Sequence, residues 1–304
     1  MEFFTHKTNV DFMAQRKWAF AFSSLIFIFS AGSLIINGLN LGLDFTGGMQ
    51  VHVNYATPPD FNQIREQLEK SGIEAVTQAY GSSKDVVVKL KLHKDLNQQQ
   101  LTDKVLKALT GAKLQRAEMI GAQMGKALVT NGILAVIVAL LGTMIYIAFR
   151  FEYRFAVSAA ISLVHDPMLI LGIFSFFHVE FDSIALAALL TVIGYSLNDT
   201  IVVYDRAREN FRKVRKASPE EIINLSVNQT LSRTIMISGL TFSVIAALFI
   251  FGGQMLHGFS LAMMIGIVIG TYSSIYVAGA LALLFGLDRC HLMPSEKKAI
   301  DSMP

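Results

Sequence analysis

Asp199 is a carboxylate inside residues 184–204, a run long and apolar enough to cross a bilayer. A charged group at mid-membrane costs roughly 2.5–3.5 kcal/mol on insertion scales. Groups that expensive are normally paired, or they lie on the route of an ion. In the run Gly194-Tyr195-Ser196-Leu197-Asn198-Asp199-Thr200, the residues Thr191, Tyr195, Asn198 and Asp199 recur at helical spacing and predict one polar stripe. Ser196 and Thr200 flank it. Thr230, Thr234, Ser238 and Thr241 form a similar stripe in residues 230–251, with Arg233 beside its start. If the two stripes meet, Arg233 comes within reach of Asp199. A static ion pair would then suffice, since a buried pair roughly breaks even in energy. Equally, Asp can titrate where Arg cannot, and hydroxyls and amides beside it can hold water.

His165-Asp166-Pro167 interrupts a third apolar run. The proline frees a backbone carbonyl that the neighbouring polar groups can satisfy. Helix packing and a place in a proton path both remain open for His165 and Asp166. Glu180 and Asp182 fall in a short loop and are expected to be solvated. Gly42-Leu43-Asp44-Phe45-Thr46-Gly47-Gly48 suits a tight turn, with Asp44 bonding that turn, but it lacks the lysine of a phosphate loop. Nowhere does a zinc spacing, a GxSxG elbow or a nucleotide motif appear. Covalent or metal catalysis is not expected, nor any cofactor or metal.

The elements that must position these residues are membrane helices. The chain has 304 residues, is 53% hydrophobic and 16% charged, and has a mean hydropathy of +0.48; soluble proteins carry about 25% charged residues. Six segments reach spanning length: residues 18–39, 128–149, 155–177, 184–204, 230–251 and 259–287. The first is longer than a signal-peptide core and is read as a retained anchor. The last is long enough to be tilted or to begin re-entrant. The lone cysteine, Cys290, is read as a small residue at a helix end and allows no intrachain disulfide.

Lys and Arg set the orientation. Lys7, Arg16 and Lys17 precede the first span, Arg150 and Arg154 join the second and third, and Arg206 to Lys216 join the fourth and fifth. Arg289, Lys297 and Lys298 follow the last, whereas residues 178–182 and 252–258 contain neither Lys nor Arg. Residues 1–40 are therefore expected to be a cytoplasmic N-terminus and first helix, and 41–126 an outer domain. Residues 127–287 carry the other five helices with a cytoplasmic connection at 205–228, whose later part, 219–228, can start an interfacial helix. Residues 288–304 form a cytoplasmic tail.

The outer domain reads as α+β. Residues 49–55 alternate like a half-buried strand, and Pro58 and Pro59 open a helix with Phe61, Ile64 and Leu68 on one face. Strands follow at 75–80 and 86–92, separated by Gly81-Ser82-Ser83-Lys84. Asn97 caps a second helix, and 113–120 form the last strand. The order β-α-β-β-α-β is the ferredoxin-like pattern. The fold class is thus an α-helical polytopic membrane protein, with six transmembrane helices and a small α+β ferredoxin-like extracytoplasmic domain between helices 1 and 2.

Several motifs together resemble the SecF family of the bacterial SecDF protein-export complexes, in the RND superfamily. They are the Gly42–Gly48 run, Phe151-Glu152-Tyr153-Arg154-Phe155-Ala156, His165-Asp166, and residues 194–206 with Arg208-Glu209-Asn210. Residues 230–234, 251–253 and 270–274 complete the ordered set. The resemblance implies a SecD-like partner of the same six-helix plan, and no enzyme activity. It implies use of the proton-motive force to promote preprotein translocation across the inner (cytoplasmic) membrane, after SecA and the SecYEG channel act. Asp199 and Arg233 match the family's proton-pathway acid and arginine, and Asn198 and Thr200 its polar neighbours. The remaining partners are the translocating preprotein and membrane lipid, with no nucleic acid. An RND transporter of small molecules would need a second large outer loop, which this chain lacks. A purely structural subunit would leave Asp199 without a protonation change.

Overall fold

A computed structural model describes residues 9–80, 82–90 and 97–288. Lys7, Gly81, residues 91–92, Arg289, Cys290, Lys297 and Lys298, on which some of the expectations above rest, lie outside the described residues. The helix α1 (Arg16–Asn37) leads to a helical turn α2 (Leu43–Thr46) and then to β1 (Gly48–Asn54). The outer domain continues through α3 (Phe61–Lys70), β2 (Ala75–Tyr80), β3 (Ser82–Leu90), α4 (Gln98–Ala108) and β4 (Lys113–Ile120). The remaining helices are α5 (Ala122–Arg150), α6 (Tyr153–Phe176), α7 (Ser183–Lys213), α8 (Pro219–Phe251), α9 (Gly253–Tyr272), a π-helical turn (Ser273–Val277) and α10 (Ala278–Leu284). Among the described residues six helical stretches are long and apolar enough to span a membrane, α9 to α10 counting as one.

The sheet is antiparallel in the order β2-β3-β1-β4, the ferredoxin-like arrangement. Met49, Val51 and Val53 alternate toward Ile64, Leu68, Leu101 and Val105 of α3 and α4, and form the domain's core. Asp60 caps α3, and Asn97 closes a capping box with Gln100 on α4. Ser82–Lys84, expected in a turn, belong to β3. The hairpin is shorter than the run Gly-Ser-Ser-Lys suggests because the strand pairing continues to Tyr80 and Ser82.

Asp44 does not bond its own turn. It accepts from the Ser183 backbone N–H at 3.2 Å, so it ties the outer domain to the start of α7. Gly47 there has φ +75°, a conformation that favours glycine. Glu180 is not free in solvent either: Lys89 on β3 donates to both of its oxygens at 2.8 and 2.9 Å. Asp182 caps α7 through the Ala185 N–H at 2.7 Å. Burial pushes its carboxyl above the usual range, against that N–H, with the Asp44 and Glu180 charges adding to the rise. The loop was too short to leave these acids solvated, because the open face of the sheet settles over it across a cavity of about 530 Å³.

At the opposite end, α7 runs past Tyr204 to Lys213, and α8 begins at Pro219. Residues 205–228 are therefore mostly helical, and only 214–218 form the connection. Charge does not end α7, since Glu209 bridges Arg206 and Lys213 at one-turn spacing (2.6 and 2.5 Å) and supports the helix in water. Ser218, Pro219 and Glu221 make a capping box that starts α8, so residues 219–228 continue into the spanning helix. Nothing re-entrant precedes α9, which follows α8 directly at Gly252 and Gly253.

Small residues set the helix spacing. A Cβ on Gly270 would meet Ser196 Cβ at 3.1 Å, and one on Gly266 would clash with Val192. Gly194, on the same helix as Ser196, has open space beside it. We expect Gly270→Leu to lower the thermal unfolding midpoint through overpacking of about 1–3 kcal/mol. Gly194→Ala should be neutral or stabilising by up to about 1 kcal/mol. Unfolding of both variants in one detergent checks the opposite signs.

Candidate functional site

Two apolar clusters divide the membrane helices by level. One, near the sheet, contains Ile170, Val192 and Met263; the other, at the far end, contains Ala159, Val203, Ile275 and Ala278. Between them each helix turns polar. Asp166 lies on α6 between Ala159 and Ile170, Ser196 and Asp199 on α7 between Val192 and Val203, and Ser273 between Met263 and Ile275. A buried polar layer therefore crosses the bundle.

Asp166 is its centre and is fully buried. Its Oδ2 accepts from the Ser196 hydroxyl in a short bond and from the Ser273 hydroxyl at 2.8 Å, and its Oδ1 faces His165 Nδ1 at 2.8 Å. The other ring nitrogen of His165, Nε2, meets the Ser23 hydroxyl of α1 at 2.6 Å. Phe27, one turn further along α1, stacks on the imidazole. A carboxylate so placed is satisfied by groups from α6, α7 and the π-helical turn, and through His165 it reaches α1. The π turn sits where Ser273 leaves α9, and such turns recur at functional positions.

Ser23, His165 and Asp166 thus have the order of a hydrolytic triad. Ser23 lies inside α1, so its own backbone N–H is engaged in the helix and is not free to stabilise an oxyanion. These contacts join α1, α6, α7 and the π-helical turn in one hydrogen-bonded chain.

Asp199 is buried too, but differently. Among the described residues its side chain has a single hydrogen-bond partner, Ser238 Oγ of α8, which donates at 3.3 Å. Ser238 in turn receives Thr271 Oγ1 at 3.0 Å and Tyr195 OH at 3.4 Å. Arg233 forms no ion pair with Asp199, although its charge is near enough to act on the carboxylate. Arg233 and Ser238 are five residues apart, about 140° around the helix, so when Ser238 faces inward the arginine is turned aside. Arg233 is accordingly exposed, and so are Asn198 and Thr191. The expected stripe on α7 is split: Asp199 and Thr200 are buried, Tyr195 is partly buried, and Asn198 looks outward. Thr200 bonds back to the Ser196 carbonyl at 3.4 Å.

The structure brings His165 and Asp166 into one cluster and Asp199 into an adjoining one, with Ser196 and Asp199 one turn apart on α7. Ser23 carries no signal in the sequence, being one hydroxyl in an apolar helix. Ser196 and Ser273 were visible as polar residues, but nothing in their spacing pointed at Asp166.

Two family models match the chain. "Protein export membrane protein SecD/SecF, C-terminal" covers residues 100–288, and "SecD/SecF GG Motif" covers 32–58, the second including Gly47 and Gly48. The chain is 45% identical to the protein translocase subunit SecF of Vibrio alginolyticus, over 97% of both chains. With the same subunit of Escherichia coli O157:H7 it shares 44% over 96% of this chain and 93% of the relative. The crystal structure of SecDF from Thermus thermophilus, a translocon-associated membrane protein, superposes with a TM-score of 0.81 at 36% identity. That match covers 93% of this chain but only 39% of the SecDF chain. A super-membrane-facing form of SecDF superposes with a TM-score of 0.73. The chain is a multi-pass membrane protein and belongs to the SecF family of protein translocase subunits.

Proposed function

We propose that this chain is one half of a proton-driven complex with a SecD-like subunit in the inner membrane. In this reading it promotes preprotein translocation after SecA and the SecYEG channel have acted, with residues 41–126 in the periplasm and both termini in the cytoplasm. The observation that carries the proposal is the polar layer, in which a buried carboxylate, Asp199, has one long hydrogen bond and lies beside exposed polar groups. Arg233 and Asn198 would be costly facing lipid, so a partner helix is the natural cover for that flank. A second membrane subunit there would close a path of which this chain supplies one wall.

Asp199 is the group that changes protonation, and Arg233 on α8 is the cation set beside its route. Asn198 and Thr200 border the route. His165 and Asp166 connect it inward, and Ser162, one turn from Asp166, has a buried hydroxyl without a partner and so offers a place for water. A proton falling through 100 mV releases about 2.3 kcal/mol, enough to bias the packing of α7 against α8 and α9. The Lys89–Glu180 and Asp44–Ser183 contacts would pass that movement to the outer domain.

Asp199 and Asp166 should respond differently to the same change. Asp199→Asn keeps an acceptor for Ser238, so assembly and thermal stability stay near wild type. Stimulation of preprotein translocation by an imposed proton gradient in membrane vesicles should then fall to background. Asp166→Asn replaces an acceptor of several donors with an amide, and should cost about 1–3 kcal/mol in unfolding measurements. Gradient-stimulated export by an assembled Asp199→Asn complex would rule out the proton role.

A further inference from the structure

At the end of the bundle away from the sheet, α1, α8 and α10 leave a cavity of about 740 Å³. Phe20, Ala280, Leu283, Leu284 and Leu287 are its apolar lining, and Arg16, Lys17 and Glu220 its charged lining. The depth is marked by Trp18, which is 82% exposed next to Lys17, as an aromatic residue at the membrane–water boundary should be. A cavity at that level, half apolar and half cationic, has the two-part character of a lipid.

The cationic side is only partly neutralised. Arg16 Nη2 pairs with Glu220 at 2.5 Å, but its Nη1 is buried and has no hydrogen-bond partner among the described residues. Lys17 is exposed and forms no ion pair among the described residues. Among the residues that line the cavity, two cations stand against one carboxylate.

We infer that this cavity is a binding site for an anionic phospholipid, its phosphate on the Arg16–Lys17 side and an acyl chain along Leu283, Leu284 and Leu287. A basic pocket between membrane helices at the water boundary is the arrangement that selects such headgroups. A zwitterionic lipid would gain the wall but little from the charge. A free phosphate would gain the charge but not the wall. Glu220 sets the affinity, because a bound phosphate competes with it for Arg16.

The test uses the full chain, delipidated in detergent, with binding of phosphatidylglycerol and phosphatidylcholine measured by native mass spectrometry. Phosphatidylglycerol should bind at least five-fold more tightly. Lys17→Gln, an exposed change that leaves the fold intact, and Arg16→Gln should each reduce that preference. Leu284→Trp, which fills the cavity without altering charge, should abolish it. Arg150→Gln removes one charge at the same end, where Arg150 pairs with Asp205 outside the cavity, and should leave the preference unchanged. Equal binding of the two lipids, an equal loss with Arg150→Gln, or full competition by inorganic phosphate alone would overturn the proposal.

Discussion

The carboxylate of Asp166 is the group around which the membrane helices are arranged. It is fully buried at mid-bundle, where an unpaired charge would cost several kcal/mol, and it avoids that cost by drawing donors from separate elements. Each donor requires a particular close approach. Ser196 comes from α7, against which Gly270 and Gly266 let α9 lie closely. Ser273 turns inward at a π-helical turn, and His165 is held by Ser23 and Phe27 of α1. Close packing on α1 is itself set by Gly172, which has no room for a Cβ beside Ser30.

That constraint explains why the two acids of the layer differ. Asp166 is surrounded on every side and suits a fixed junction. Asp199, one turn from Ser196, lies at the edge of the same layer with a single 3.3 Å bond and with Arg233 and Asn198 outside it. A rigid centre beside a loosely held carboxylate is what proton coupling needs: one group free to change charge, and a packed neighbour that converts the change into movement. The outer domain is fastened to the same helices by Lys89–Glu180 and by Asp44 at the first residue of α7. A shift of α7 therefore has a direct mechanical route to the sheet.

Much of this was legible in the sequence. The β-α-β-β-α-β order followed from alternation at Met49–Val53, from Pro58 and Pro59 opening the first helix and from the cap at Asn97, because local patterning decides those elements. Asp199 was visible through its cost alone. The approach of Arg233 to Asp199 was not decidable, since it depends on the rotation of α8, which 140° between Arg233 and Ser238 controls. Ser23 was invisible because a lone hydroxyl in an apolar helix has many explanations. The acids at 180 and 182 were misread as solvated because their partners come from a distant strand and from the first turn of the next helix. The connection at 205–228 looked like a loop because charge was read as the end of a helix, whereas Glu209 and its cationic neighbours extend the helix into water.

In the proposed mechanism Asp199 is the carboxyl whose protonation state changes during work. Difference infrared spectroscopy of the reconstituted complex, in the carboxylic-acid stretching region during a pH step on one side of the membrane, observes this directly. The account predicts one buried-acid band that appears with the step, vanishes in Asp199→Asn and survives any conservative change in the outer domain. A band that persists in Asp199→Asn, or no band at all in the active complex, would contradict it.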